Sequence, residues 1–305
     1  MASIKHPANM KANQDGGEKN PLIGAVFMLI SITLFAVMDA FIKWLGADYP
    51  VQELMFFRCT VALIMVTVLL MKLGGFSLLR TTRPGLHLTR SVFGLLAMAC
   101  AFYGFAVMPL AEASSIFYTA PLLATAFSVP ILGERVGLHR WSCVVFGLLG
   151  VLIIIRPGTD VFSQGGVFML VASIMVALTA NIIRLLNRVN EAICITFYFA
   201  LSGAVVSTLA CLYFGWIVPR TEHWFGLIGI GVLGGGAQYA LTLSLRIGEV
   251  GLISPLKYLA IIIGALVGYI VWAEIPDNTT FIGMAVILAS GFYSVYRESR
   301  HRHHP

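Results

Sequence analysis

Gly24-Ala-Val-Phe-Met-Leu29 returns as Gly165-Gly-Val-Phe-Met-Leu170, 141 residues later. At the same offset Lys43 meets Arg184, Phe56 meets Phe197 and Thr67 meets Thr208. Further on, Tyr118 precedes Glu134 by 16 residues and Tyr258 precedes Glu274 by 16, both pairs at an offset of 140. One offset held across a hundred residues marks a duplicated chain.

Each copy of the quoted stretch opens an apolar run. Of the 305 residues 58% are hydrophobic, only 11% are charged, and mean hydropathy is +0.88. A soluble surface needs about a quarter of its residues charged, so most of this surface must face lipid. A helix crosses the ~30 Å hydrocarbon core in about 20 residues. Such runs lie at 22–43, 54–71, 88–107, 113–132, 141–155, 166–185, 192–214, 225–245, 252–272 and 281–296. The expected fold is an all-α membrane protein of ten transmembrane helices. With five spans per copy, an odd number, the second copy enters the membrane from the opposite side. That is an inverted repeat, the architecture of many secondary transporters. The expected units are a polar tail at 1–20, a first repeat at 21–157, a second at 158–298 and a short tail at 299–305.

The loops orient the bundle. With the N-terminus inside, the inner segments carry Lys5, Lys11, Lys19, Lys72, Arg80, Arg83, Arg90, Arg135, Arg140, Arg184, Arg188, Arg246, Arg297, Arg300 and Arg302. The outer ones carry only Lys43, Arg156 and Arg220. Fifteen against three satisfies the positive-inside rule with both termini cytoplasmic. The net charge of +6 thus belongs to membrane topology rather than to nucleic-acid binding.

Charges within spans are costly and mark function by default. Asp39, Arg58 and Lys257 stand out, with Glu112 beside them as a coupling candidate. Asp39 and Arg58 can neutralise one another, and Asp39 also forms an i,i+4 pair with Lys43. Lys43 and Arg184 can snorkel to the two interfaces. Lys257 follows Ser254-Pro255-Leu256, where the proline frees a backbone carbonyl. It suits either a solute anion or a buried pair with Glu249 or Glu112. Tyr103, Tyr118, Gln238, Tyr239 and Tyr258, with Asn181 and Thr179, are polar groups on spans three, four, six, eight and nine. They serve either helix contacts or a shared pocket that stacks flat solutes. Pro121, Pro130 and Pro255 interrupt spans four and nine, while Gly231-xxx-Gly235 and Gly264-xxx-Gly268 permit close helix approach.

No nucleotide-binding GxxxxGK[ST], HExxH or GxSxG motif occurs, so no cofactor, metal or catalytic group is expected. The five cysteines lie in apolar runs without a CxxC pair and read as buried free thiols. His87, His139 and His223 fall between the runs, which leaves Asp39 or Glu112 for any proton coupling. A membrane-embedded enzyme or scaffold would have to do without an acid–base constellation.

Residues 135–156, preceded by Leu132-Gly133-Glu134, resemble the end of an EamA-type repeat of the drug/metabolite transporter superfamily. So does Glu274-Ile-Pro276-Asp277 with Thr280, Gly283, Ser290-Gly291 and Arg297-Glu298, and Phe56-Phe57-Arg58 resembles the start of that family's second span. The resemblance implies two EamA repeats and carriage of small metabolites. Members include exporters of aromatic and other amino acids, metabolite and drug exporters, and S-adenosylmethionine uptake carriers. The expected function is export of aromatic or other neutral amino acids and related solutes, by alternating access, at the cell's inner (plasma) membrane. The alternative is uptake of S-adenosylmethionine or a nucleotide-like metabolite. The expected partners are the solute and the lipid bilayer, with a monomer sufficient. The second copy departs at Ala273-Glu274, where the first has Gly133-Glu134. Nine residues separate Glu249 from Tyr258 against six from Glu112 to Tyr118, so the two halves need not match near Lys257.

Overall fold

A computed structural model describes residues 20–133, 137–157, 164–248, 253 and 255–302, and among these there is no strand. The helices are α1 Pro21–Leu45, α2 Val51–Leu73, α3 Pro84–Val107, α4 Leu110–Phe117, α5 Ala120–Leu132, α6 Leu138–Ile155, α7 Gln164–Leu186, α8 Ala192–Phe214, α9 Trp224–Ile247, α10 Leu259–Trp272 and α11 Asn278–Arg302. With α4 and α5 taken as one interrupted span, the described helices number ten. Seven are long and apolar enough to cross a membrane, and Trp141–Ile155 and Leu259–Trp272 are shorter apolar helices.

Local chemistry sets the ends. Asn20 caps α1, its Oδ1 accepting from the Ile23 amide at 3.2 Å, and Pro21 fills the first turn where no amide donor is needed. Pro84 starts α3 in the same way, four residues before the apolar run that marked the span. His87, expected between spans, therefore lies buried within α3, and His139 is the second residue of α6. The helix begins wherever backbone donors are satisfied, and the apolar run begins later.

The fourth span breaks at Tyr118–Thr119. Pro121 has no amide hydrogen to offer the Phe117 carbonyl, so the ladder cannot run through. Thr119 instead donates its amide to Ile116 at 3.2 Å, and Leu122 donates to Thr119 at 2.9 Å. The ninth span turns at the equivalent point. After Pro255, Tyr258 donates to Pro255 at 3.1 Å, Ala260 to Lys257 at 3.2 Å and Ile261 to Tyr258 at 3.1 Å, a tighter turn than an α-helix. Lys257 sits in that turn.

Lipid is as apolar as leucine, so helices associate here through close packing and hydrogen bonds. The α1 helix packs against α9, α3 against α7, α2 against α8 and α9, α6 against α11, and α10 against α4. Both glycine pairs are contact sites. A Cβ on Gly231 would stand 2.3 Å from Val61 of α2, and one on Gly264 would stand 2.4 Å from Ser114 of α4. Ser31 donates to the Ala237 carbonyl at 2.9 Å and Ser244 to the Gly24 carbonyl at 2.7 Å, tying α1 to α9. The outward faces are apolar, with Leu212, Phe225 and Leu138 among their most exposed side chains.

Candidate functional site

The packing leaves a central cavity of about 280 Å³, lined by α1, α2, α3, α4, α5, α7, α8, α9, the turn before α10 and Ser294 of α11. Most of its wall is apolar, including Phe35, Met98, Phe102, Phe105, Phe117 and Leu241. Among the described residues five charged side chains interrupt that wall: Asp39, Arg58, Arg90, Arg184 and Lys257. Four cations against one carboxylate leave a strongly positive chamber. None of the five makes a salt bridge among the described residues.

Each charge is placed by its helix. Arg58 comes from the second turn of α2 and Arg90 from the second turn of α3, and both reach the ring of Phe199 on α8. The Arg90 guanidinium carbon lies 3.5 Å from the ring centroid and that of Arg58 lies 5.4 Å away, so both are cation–π contacts. Arg58 Nη1 also donates to the Cys59 sulfur at 4.0 Å. Asp39, from α1, feels the Arg58 charge without touching it. Lys257 lies in the turn before α10, with the Arg184 guanidinium of α7 near enough to repel it. Glu249, one candidate partner for Lys257, lies outside the described residues together with Glu134 and Ser254. The other, Glu112, is committed elsewhere.

Of the polar groups singled out in the sequence, Tyr118, Gln238, Tyr258 and Thr179 line the cavity. Gln238 donates to Thr242 Oγ1 at 3.5 Å, and the Tyr258 ring packs on Phe292 with centroids 6.1 Å apart. Three others lie off it. Tyr103 stacks on Phe168 at 4.7 Å, Tyr239 packs against the Val66, Leu70 and Ile193 cluster, and Asn181 ties α7 to α5 by donating to the Ala124 carbonyl at 2.9 Å. They belong to helix contacts because their helix faces turn away from the cavity.

A separate polar network closes one end of the bundle. Lys43 donates to the Met108 carbonyl at 2.9 Å and pairs with Glu274, 231 residues away, rather than with Asp39. Glu274 Oε2 accepts the Leu110 amide at 2.9 Å. Beside it Glu112 accepts from Thr280 at 3.3 Å, and Arg156 pairs with Asp277 at 2.5 Å. Arg156 and Thr280 hold the Asp277 carboxyl down at about 2, and Asp277 in turn holds the Arg156 guanidinium charge more firmly.

Arg90, Arg184 and Phe199 escaped the sequence reading as cavity groups. Arg90 counts among the inner cations in the sequence although it falls within the run at 88–107; Pro84 marks the helix start and puts Arg90 in the second turn, on the cavity wall. Nothing in the sequence directs Phe199 toward Arg90, since their helices meet only in the fold.

The chain matches the EamA-like transporter family twice, over residues 22–156 and 163–296. It is 30% identical over 269 residues to the pseudopaline exporter CntI of Pseudomonas aeruginosa, covering 88% of this chain and 94% of that one. It is 26% identical over 282 residues to the S-adenosylmethionine uptake transporter of Rickettsia prowazekii (92% and 95%). With the riboflavin transporter of Rhizobium johnstonii it shares 24% over 286 residues (93% and 94%). A solved crystal structure superposes with a TM-score of 0.68 at 22% identity, covering 92% of this chain and 99% of that one, a likeness of fold alone. An apolar helical bundle around a charged cavity and two matches to one transporter family lead to one conclusion: the chain belongs to the EamA-like transporter family and is a multi-pass integral membrane transporter.

Proposed function

We propose that the protein is a secondary transporter that carries small carboxylate-bearing solutes, amino acids and related metabolites among them, outward across the inner membrane. The observation that carries this reading is the cavity charge: among the described residues, Arg58, Arg90, Arg184 and Lys257 face Asp39 as the one carboxylate. Buried cations without partners are costly, and a bound carboxylate is the group that relieves them. The apolar remainder of the wall suits an aliphatic or aromatic solute body. Tyr118, Tyr258 and Gln238 supply polar edges for its orientation, and Lys257 is the proposed first anion contact. Asp39 is the proposed coupling group, as the one carboxylate on the cavity wall among the described residues.

Alternating access of two inverted halves, 21–157 and 158–298, is the proposed mechanism. The family match at 22–156 and again at 163–296 supports the division. So does the exchange of partners, the first helix of each half packing on the third of the other. With both termini cytoplasmic, the Lys43–Glu274 network lies at the outer end.

Uptake of S-adenosylmethionine is the second reading, favoured by the names of the Rickettsia relatives. That solute carries a sulfonium cation, which four cavity cations oppose. Counterflow of labelled amino acids or labelled S-adenosylmethionine into proteoliposomes preloaded with the same unlabelled solute, with and without a pH gradient, tests the choice. Exchange of amino acids is expected; exchange of S-adenosylmethionine alone would select the second reading, and no exchange at all would remove both.

A further inference from the structure

The cavity holds more cationic charge than one carboxylate needs, and the charge is divided. Lys257 and Arg184 act on one another from the turn before α10 and from α7. Arg58 and Arg90 act on one another from α2 and α3. The second pair is built differently from the first. Both guanidiniums converge on the ring of Phe199, at 5.4 and 3.5 Å, and Gly94 leaves the space that Arg90 uses: a Cβ there would come within 2.9 Å of its Nη1.

These two arginines are 5% and 2% exposed. Arg90 Nε and Nη1 and Arg58 Nε have no hydrogen-bond partner among the described residues. An aromatic face offsets part of the cost of burying a guanidinium, but it accepts none of the five N–H donors. Asp39 balances at most one of the two charges and stands beyond salt-bridge reach of Arg58. A planar fork with free donors is matched by a carboxylate or phosphate, which takes two N–H groups at once.

We propose that Arg58 and Arg90, stacked on Phe199, form a second anion subsite, so that the transported solute carries two acidic groups joined by an apolar body. This rests on the carboxylate reading above and narrows it: one acidic group meets Lys257 and Arg184, and the other meets the arginine pair. The second group is a carboxylate or a phosphate monoester, which share the two-oxygen face that the arginines require.

Two matched pairs of probes test it on the purified full-length protein by equilibrium binding. N-succinyl-phenylalanine and N-butyryl-phenylalanine differ by a second carboxylate; O-phosphotyrosine and tyrosine differ by a phosphate. The doubly acidic member of at least one pair should bind about tenfold or more tightly than its partner, the scale of one charge-assisted contact. The first pair reports a carboxylate and the second a phosphate. Arg90→Gln and Arg58→Gln should each bring that ratio toward one, and Arg90→Lys, which keeps the charge but loses the planar fork, should restore only part of it. A ratio near one in the wild-type protein for both pairs overturns the second subsite. So does an undiminished ratio in both glutamine variants, with melting curves confirming that they are folded. If no probe of either kind binds, the carboxylate reading itself fails, a different result from binding without preference.

Discussion

Lys257 carries the local argument at the scale of single residues. It is a cation in a broken turn, facing Arg184, with no ion-pair partner among the described residues. Lys257→Ala should weaken the affinity for a carboxylate solute about tenfold or more, read as Kd or as half-saturation of counterflow. Unchanged affinity would remove Lys257 from the site. Gly291 bears on the same region. A Cβ there would stand 2.3 Å from the Tyr258 ring, whose position fixes one wall of the cavity. Gly291→Ala should therefore destabilise the fold by about 1–3 kcal/mol, the range for overpacking, and lower the melting temperature in detergent. A variant melting at the wild-type temperature would show that the ring yields freely.

At the scale of elements, the turns and caps differ between the two halves in ways that thermodynamics can read. The fourth span ends on Gly133 at φ 71°, and the ninth ends on Ala273 at φ 53°. Only glycine takes this left-handed backbone without a Cβ penalty. Ala273→Gly should stabilise the protein by about 0.5–1 kcal/mol, what remains of the relief after the glycine's greater unfolded entropy; a fall in melting temperature would contradict it. The ion pair that links the end of α6 to the start of α11 has its own signature. Asp277 titrates at about 2 in the fold, against an ordinary value of 3.8. A depressed carboxyl stabilises the fold above its unfolded value and loses that contribution as pH falls through the folded one. The stability difference between wild type and Asp277→Asn should therefore be constant above about pH 5 and shrink as pH falls through 3.8 toward about 2. A difference independent of pH would show that the pair contributes nothing. Because Asp277 is half exposed, solvent keeps the effect small.

The elements themselves were legible because a membrane imposes one length and one polarity on each span. The quoted stretch at Gly24 and its return at Gly165 mark the first helix of each half. Pro121 and Pro255 point to the two breaks before any coordinates do. The sequence-based reading failed where polarity and helix ends part company. Arg90 reads as an inner-end cation although it falls within the run at 88–107, since a charge near the end of an apolar run looks like its boundary. His87, one residue before that run, reads as a loop residue yet lies buried within α3. The Lys43–Glu274 pair was out of reach, because 231 residues separate the partners while Asp39 stands one turn from Lys43. Tyr103, Tyr239 and Asn181 show the converse limit: a polar residue within a span does not declare which face of its helix meets the cavity.

The whole molecule is a positive chamber inside an apolar bundle. Such a chamber selects by charge before it selects by shape, since an unpaired ion in a low-dielectric wall costs more than an ill-fitting methyl group. The direct measurement is counterflow into proteoliposomes with phenylalanine and phenethylamine, which share a ring and an amine and differ by the carboxylate. Exchange of phenylalanine with no detectable exchange of phenethylamine is the expected result. Equal exchange of the two, or exchange of the amine alone, would contradict the claim that the cavity cations hold the solute's acidic group.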